Sequence, residues 1–376
     1  MKYQYKKLKE RYEHFACPVV RLCVEGKWLD ECVADILISE VHVHLTCGYE
    51  AGDAVVTLHG ITDETDNTFL WEQLKPYVSL GSDVILKMGY PNETEEVFCG
   101  YIACVECICA ELPSIELTLM DIKGVMMSGT RAAQLKSRNY GDAVKEILGG
   151  DRYRELKEKE MFRGMRISDT PDKQNGQEEE MRTIECVSES DYDFVVRAAK
   201  KFGYEFFVDC GMVYFRKAQS DDTVLMELKQ GEAALSASVL YDIRGIVKET
   251  EVRAHDDAKG TLIYASAVQK NKLSYGNRTG RIINQTKKVY MEPCVRSKTD
   301  ASSRADALLK ENLSRFGTLE CECIGMPVLK PGYFVHLKGY GIPVDNQFYV
   351  TAAEHVLSEN GYTTRLIAVA EGMKEV

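Results

Sequence analysis

The sequence has 376 residues, of which 45% are hydrophobic and 28% are charged, and its 58 acidic and 47 basic side chains give a formal net charge of −11. This composition excludes a disordered chain, and the length predicts two or three domains. The acidic balance argues against a nucleic-acid-binding protein, because phosphate contacts need clustered Lys and Arg.

The N-terminal segment Met1–Phe15 is charged throughout and has no apolar signal-peptide core. No later apolar run reaches the roughly 18 residues that a membrane-spanning helix needs. We therefore expect synthesis in the cytoplasm, without insertion into a membrane.

The segment from Val33 to Ile122 is dominated by strand patterns. Val41–Cys47 alternates strictly, with its odd-numbered residues on one face. Further strands, separated by Gly, Asn and Asp, are predicted over Ala54–His59, Val84–Met88, Val97–Cys109 and Ile115–Ile122. A run of short strands without a long helix predicts an antiparallel sandwich or small barrel.

The pattern then becomes mixed. The spacing over Asp142–Leu148 predicts a helix, and residues 169–182 form a polar, turn-rich linker. Ser190 caps a second predicted helix that ends at Gly203, and a β-hairpin is predicted over residues 204–216. These elements indicate a small α+β insert.

Strand patterns return after the insert. They cover residues 236–253, 261–268, 319–323, 333–338, 348–357 and 362–369. One further helix is predicted over residues 301–316, with Thr299 or Asp300 as its cap and Gly317 as its stop. The predicted fold class is mainly β with an α+β insert: two related antiparallel β-barrels around a small helix-plus-hairpin domain. We expect the first barrel domain at residues 1–130, the insert at 131–230 and the second barrel domain at 231–376.

The two β-rich ends contain a weak repeat. The residues that match at one constant offset are Gly89-Tyr90 with Gly339-Tyr340, Phe98 with Phe348, and Leu117 with Ile367. Chance similarity between two β segments is one explanation. We favour the other, that two related barrels flank the insert.

Thirteen cysteines raise the question of a metal site or disulfides, but the strand pattern favours buried free thiols. Cys104 and Cys107 form the one C-x-x-C, and this spacing places them on opposite faces of a strand. Cys107 shares a face with Cys109, and Cys321 with Cys323, where such pairs usually fill a core. Metal or redox chemistry stays open as the alternative.

No catalytic, cofactor-binding or metal-binding residue is predicted. The G-x-S-x-G, P-loop and H-E-x-x-H motifs are absent. His42 and His44 share a strand face but supply only two ligands, and His355 is interpreted as a hydrogen-bonded or surface histidine. Glu178–Glu180 is interpreted as a solvated charge run. The lysine pairs, too scattered for a nucleic-acid groove, are Lys6-Lys7, Lys200-Lys201 and Lys287-Lys288.

Several segments together carry a resemblance to a known family. In chain order, they are residues 12–26, 80–90, 97–102, 189–208, 324–335, 348–350 and His355. This ordered set resembles the central baseplate hub of contractile phage tails and related injection machines, a family that includes late control protein D, the T-even tail hub and the N-terminal part of VgrG.

The resemblance implies a non-enzymatic structural hub. Its members place two related barrels per chain in a homotrimer, so that six similar barrels form one ring around a central channel. Such a ring adapts a trimeric spike protein to hexameric inner tube proteins, with other baseplate components around it. The expected particle is a phage tail, a tailocin or an extracellular injection system, joined after synthesis in the bacterial cytoplasm. Because no spike or lysozyme-like segment follows the second barrel, a separate spike protein is expected.

Two other functions stay open. One is a peptidoglycan-binding or cell-wall-degrading tail protein that acts through residues 190–216. Its candidate carboxylates are Asp191, Asp193, Glu205 and Asp209, although the first two also suit a helix N-terminus. The other is a cytosolic metalloenzyme that uses the cysteines and histidines.

Overall fold

The computed structural model describes residues 1–32, 36–63, 68–172, 184–256, 260–274, 278–293, 295 and 297–374. The predicted charge run Glu178–Glu180 and most of the predicted linker lie outside these residues. Within them, the chain is mainly antiparallel β-sheet with short helices, which confirms the predicted fold class.

The described residues contain twenty-one strands. The first seven are β1 Val19–Val24, β2 Lys27–Trp28, β3 Leu37–Thr46, β4 Asp53–His59, β5 Asp83–Tyr90, β6 Glu93–Ile108 and β7 Ser114–Met120. The next six are β8 Arg131–Leu135, β9 Gly164–Ile167, β10 Ile184–Glu189, β11 Tyr204–Asp209, β12 Met212–Lys217 and β13 Val224–Lys229. The last eight are β14 Ala234–Tyr241, β15 Glu249–Asp256, β16 Thr261–Val268, β17 Lys287–Met291, β18 Gly317–Ile324, β19 Phe334–Lys338, β20 Asn346–Ser358 and β21 Gly361–Ala370.

The helices of the described residues are mostly short. They are α1 Tyr5–Arg11, α2 Leu29–Cys32, α3 Trp71–Leu74, α4 Ile122–Met127, α5 Tyr140–Leu148, α6 Asp151–Arg154, α7 Asp191–Phe202, α8 Gly280–Ile283 and α9 Lys298–Leu313. Among these helices, none has the length and apolar character needed to cross a membrane.

Two sets of five strands share one order of pairing. The first unit has the order β3–β4–β7–β6–β5, and the second unit has the order β14–β18–β21–β20–β19. Every neighbouring pair within the two units is antiparallel. The chain therefore contains the same five-strand arrangement twice, as the sequence repeat indicates.

The two units also share the positions of two β-bulges. The bulges lie between Ile38 and Glu40 and between Ile102 and Cys104 in the first unit, and between Ala234 and Ser236 and between Val350 and Ala352 in the second. A bulge inserts one extra residue and bends its strand. Because both bulges recur at the same place in the pairing scheme, they fix which residues correspond.

This correspondence corrects the constant offset predicted from the sequence. Ile102 is opposite Leu119, and the matching pair in the second unit is Val350 opposite Ala368. The difference in residue number is therefore not the same in β6 and β7. Gly89-Tyr90 also lies within β5, whereas Gly339-Tyr340 follows the end of β19. The equivalent residues of the two units are therefore assigned from backbone pairing, and matching residue types in the sequence give only an approximate alignment.

Near their bulges, β6 stops pairing with β5 and β20 stops pairing with β19. The Gly81 N–H donates to the Ile102 oxygen (2.8 Å), and the Gly332 N–H donates to the Val350 oxygen (2.9 Å). Beyond its bulge, β20 pairs with β3 of the first unit. This pairing joins both units into one sheet of thirteen strands, so the two separate closed barrels predicted from the sequence are not found among the described residues.

One hydrophobic core runs through both units, and each insert has its own core. The first insert, residues 122–217, contains α5 and α7 against the strands β9, β11 and β12. The second insert, residues 242–316, lies between β14 and β18 and packs α9 on the sheet β16–β15–β17. In the first unit, the equivalent connection between β3 and β4 is a short loop.

Most predicted elements are present, and three of the differences in bounds have a structural reason. Ile122 belongs to α4 and not to β7, because the buried side chain of Asp121 caps a helix there. The helix predicted over residues 301–316 is α9, Lys298–Leu313: Ser297, not Thr299 or Asp300, caps it and accepts a hydrogen bond from the Asp300 backbone, and Gly317, the predicted stop, begins β18. The strand predicted over residues 236–253 is two strands, β14 and β15, with a turn between them.

Tyr90 links the two units and gives the first prediction. Its buried hydroxyl donates to the Gly325 oxygen across the shared core (2.8 Å). Tyr90→Phe should lower the free energy of unfolding by about 1 to 2 kcal/mol, because a buried carbonyl loses its partner. Urea titration measures this effect, and Tyr264→Phe on the exposed face of β16 is the control. Equal effects of the two substitutions would contradict the prediction.

Candidate interaction surface

The strand β14 lies at one end of the large sheet. Among the described residues its only strand partner along Ala237–Tyr241 is β18. Leu240 on this strand is 60% exposed. The backbone of β14 therefore presents an open edge with apolar side chains.

The second half of β6 presents another open edge. After its bulge, β6 pairs with β7 on one side and has no strand on the other side among the described residues. Cys104 and Cys107 are exposed there, and Ile108 is 36% exposed. We name residues 104–108 of β6 and 237–241 of β14 the two open edges.

At the open edges, residues are more exposed than the equivalent residues of the paired strands β3 and β20. Val43 of β3 is 1% exposed, whereas the corresponding Val239 of β14 is half-buried. His355 of β20 is fully buried, whereas the corresponding Cys107 of β6 is exposed. β3 and β20 cover each other, and neither open edge has such a cover. Exposed edges of this kind are templates for pairing with another strand.

The cysteines whose exposure the structure describes are buried or exposed, except for the half-buried Cys210. Those that are buried, as predicted, are Cys23, Cys47, Cys99, Cys186, Cys321 and Cys323. The prediction is wrong for Cys17, Cys104, Cys107 and Cys109, which are exposed. The last three lie on or next to the open edge of β6, where one side of the strand lacks a neighbour.

One cysteine cluster could not be found from sequence spacing. Glu96 and Cys99 of β6 meet Cys210 of the β11–β12 turn, with their ligand atoms within 4.8 Å of one another. Arg163 lies 2.5 Å from the Glu96 carboxylate, and Lys330 lies 3.7 Å from the Cys210 sulfur. These two cations compete with a metal ion for the same ligand atoms.

Three of the four candidate carboxylates of the first insert have structural partners. Asp191 is buried and pairs with Arg131 at 2.6 Å. Asp193 completes the capping box at the start of α7, so the helix-terminus interpretation of both residues is confirmed. Asp209 pairs with Lys330 at 2.8 Å.

The fourth carboxylate, Glu205, belongs to a buried network. It accepts hydrogen bonds from the Arg216 guanidinium (2.9 Å) and from the Tyr349 hydroxyl (2.6 Å). Arg216 also donates to the Gly332 oxygen (2.7 Å). Burial raises the pKa of Glu205, and Tyr349 and Arg216 oppose that rise. Since Tyr349 lies on β20, the network fixes the first insert to the second unit.

The second prediction concerns this network. Glu205→Gln should lower the free energy of unfolding by about 3 kcal/mol, because it removes the buried carboxylate charge that pairs with the largely buried Arg216 and leaves Asp221, at 3.6 Å, as its remaining acidic partner. Chemical denaturation measures the change. The control is Glu320→Gln, whose partner Arg365 is exposed, and it should cost less than about 1 kcal/mol. A Glu205→Gln variant as stable as the control variant would contradict this account.

The paired histidines of β3 lie on a solvated face, as predicted. His42 contacts Glu40 at 2.8 Å, and His44 lies 3.4 Å from Asp53. The hydrogen bond to Asp53 raises the pKa of His44. Both rings therefore have carboxylate neighbours on the sheet surface.

His355 is a buried, hydrogen-bonded histidine. Its Nε2 lies 3.1 Å from the Leu329 oxygen, and its Nδ1 lies 2.9 Å from the Tyr362 hydroxyl. The carbonyl can only accept, so Nε2 carries the proton and Nδ1 accepts from Tyr362. Burial, with a smaller contribution from the positive charge of Lys330, lowers the pKa of His355 to about 3.

The third prediction is an acid sensitivity that comes from His355. The unfolded histidine takes up a proton near pH 6.5, whereas the folded one does so only near pH 3. The free energy of unfolding should therefore fall by up to about 1.4 kcal/mol per pH unit below pH 6.5. His355→Gln should remove this part of the pH dependence in urea titrations, and His42→Gln should keep it. An unchanged slope in His355→Gln would refute the assignment.

Solved structures share this fold at low sequence identity. The crystal structure of the prophage MuSo2 43 kDa tail protein from Shewanella oneidensis is 12% identical, with 95% of this chain and 100% of that chain covered and a TM-score of 0.68. The tail protein from Neisseria meningitidis MC58 is also 12% identical, with coverages of 95% and 97% and a TM-score of 0.66. The E. coli c3393 protein, a component of the type VI secretion system, is 11% identical, with coverages of 94% and 79% and a TM-score of 0.55. The expected tail-protein fold is therefore confirmed.

Comparison with protein families assigns the sequence to a family whose description differs from those of the structurally similar proteins. No curated protein matches this chain. The family described as the Alg8 N-terminal domain matches residues 63–359, which is well over half of the sequence. That description names neither a tail nor a baseplate, so the functional argument rests on the fold and its duplication. By sequence, the chain belongs to the Alg8 N-terminal domain family.

Proposed function

We propose that this chain is a structural baseplate hub of a contractile injection particle. Three copies form a ring of six five-strand units around a central channel. The observation that carries the proposal is the duplicated unit, with matching strand order and matching bulges, in a fold shared with phage tail proteins.

The physical reason is a match of symmetries. A hexameric tube needs six similar landing surfaces, whereas a trimeric spike needs three. A chain that contains one unit twice supplies six similar surfaces from three copies. The two inserts differ from each other, so the same ring also carries features that occur only three times. The ring therefore adapts one symmetry to the other by its geometry alone.

The partners in this proposal are two further copies of the chain, a separate trimeric spike protein, inner tube proteins and other baseplate components. The particle is a phage tail, a tailocin or an extracellular injection system, and the chain joins it after synthesis in the bacterial cytoplasm. No catalytic step is part of the proposal. The insert carboxylates that a cell-wall enzyme would need are engaged with Arg131, Arg216, Lys330 and a helix N-terminus.

The fourth prediction is the state of the purified chain in solution. Light scattering should give three times the chain mass of 42.4 kDa, and electron microscopy of the same sample should show rings with an axial opening. A stable monomer with stoichiometric metal by elemental analysis, and without rings, would contradict the hub and favour a metalloenzyme. Cell-wall clearing in a zymogram would instead favour the peptidoglycan-directed function of residues 190–216.

A further inference from the structure

We infer that neighbouring copies of this chain join through the two open edges, β6 of one copy against β14 of the next, as antiparallel strands in a register that the chain itself specifies. The inference rests on the proposed ring for the number of copies. The pairing and its register come from the contacts inside one chain.

The template is the pairing of β20 with β3. After its bulge, β20 leaves β19 and runs antiparallel to β3, with Ala353 opposite Leu45 and His355 opposite Val43. β6 has the same bulge at the same point, but the chain supplies no strand there among the described residues. β14 corresponds to β3, and along residues 237–240 it likewise has no strand on its other side in the part of the chain that the structure describes. Each open edge is therefore the counterpart of one strand of an existing pair.

The shared bulges determine the register between copies, because they align β6 with β20 and β14 with β3. Val350 corresponds to Ile102, so the positions after the bulge align His355 with Cys107. In the other strand, the bulge after Ala234 matches the bulge after Ile38, which aligns Val43 with Val239. The opposed residues between copies are then Val105 with Tyr241, Glu106 with Leu240, Cys107 with Val239, and Ile108 with Ser238.

Burial supports this register. Ala353 and His355 are fully buried in the existing pair, and so is Val41. At the open edges, Val105 and Val239 are only half-buried although both already pack against the large core. Pairing in the inferred register would continue the inner face of the sheet and cover these side chains. Because β7 and β18 already fix which way these side chains face, a shift by one residue would place inward-facing residues of one strand opposite outward-facing residues of the other.

The composition of the edges points the same way. Natural sheets protect free edges with Lys, Pro or an inward-pointing charge. Ala234–Tyr241 contains none of these, and the one charge among residues 104–108 of β6, Glu106, has the outward parity. Two apolar edges without such protection suit burial against each other better than exposure to water.

The contact is heterologous, because two different edges meet. Each added copy leaves one edge of each kind free until the chain of copies closes on itself. Two copies joined by one such contact therefore keep two open edges, and ring closure removes both. A closed ring therefore pairs every open edge, whereas two copies joined by one such contact leave two edges unpaired.

The fifth prediction tests the register by disulfide trapping. Cys17, Cys104 and Cys109 are replaced by Ser, Cys107 is kept, and Val239→Cys is introduced. Directly opposed side chains in antiparallel strands lie about 4.5 to 5.5 Å apart at Cβ, which is within disulfide reach after air oxidation with a copper catalyst. A covalent trimer should then appear on a non-reducing gel and disappear with a thiol reductant.

Leu240→Cys in the same background is the matched control, since it is adjacent in sequence but faces outward. It should give no cross-link to Cys107, and neither should Val239→Cys combined with Cys107→Ser. As a second measurement, Val239→Lys should reduce the light-scattering mass threefold, and Ser238→Lys should leave it unchanged. Circular dichroism of both lysine variants verifies that they fold.

The outcomes separate this inference from the hub proposal. A trimer by light scattering that cross-links through Leu240→Cys overturns the register and leaves the ring. A trimer that cross-links through neither position, and keeps its mass with Val239→Lys, overturns the pairing of the two open edges. A monomer of the unmodified chain overturns the ring as well.

Discussion

The exchange of strand partners along β20 is the constraint on which the rest of the molecule depends. Each residue of a strand has one backbone donor and one acceptor, so the same stretch of β20 cannot pair with β19 and β3 on one side at once, and the switch falls beside the bulge in its pairing with β21. Before the bulge, β20 is bonded to β19, and beyond it to β3. That one switch turns two copies of a five-strand unit into a single sheet over one core. The core residue Tyr90 and the Gly325 oxygen then meet across the units.

The two inserts are held in place by contacts with each other and by contacts of the first insert with β20. Gly203 at the end of α7 approaches α9 so closely that an added Cβ would lie 2.7 Å from Ala307. Arg304 of α9 donates to the Lys200 oxygen (2.6 Å), which ties the second insert to the first. The Glu205 network ties the first insert to β20. The two inserts therefore contact each other, and the first insert also contacts the second unit.

Local sequence signals were sufficient to predict the elements that have their own cap, turn or stop residues. The Ser190 cap, the apolar stripe of α7 and its left-handed Gly203 predict that helix correctly, and the hairpin after it follows from its turn. The open edge of β6 could not be predicted, because an alternating apolar pattern does not reveal that one neighbour is absent. The cluster of Glu96, Cys99 and Cys210 depends on packing between distant segments. The register of the repeat depends on bulges that no residue type marks.

The two units differ at their outer border. β1 runs antiparallel to β5, whereas β13 runs parallel to β19. The backbone of Lys2 and Tyr3 donates hydrogen bonds to β13, so these first residues extend the border of the second unit. In the proposed ring of three chains, each of these two borders would therefore occur three times, whereas the arrangement of five shared strands would occur six times.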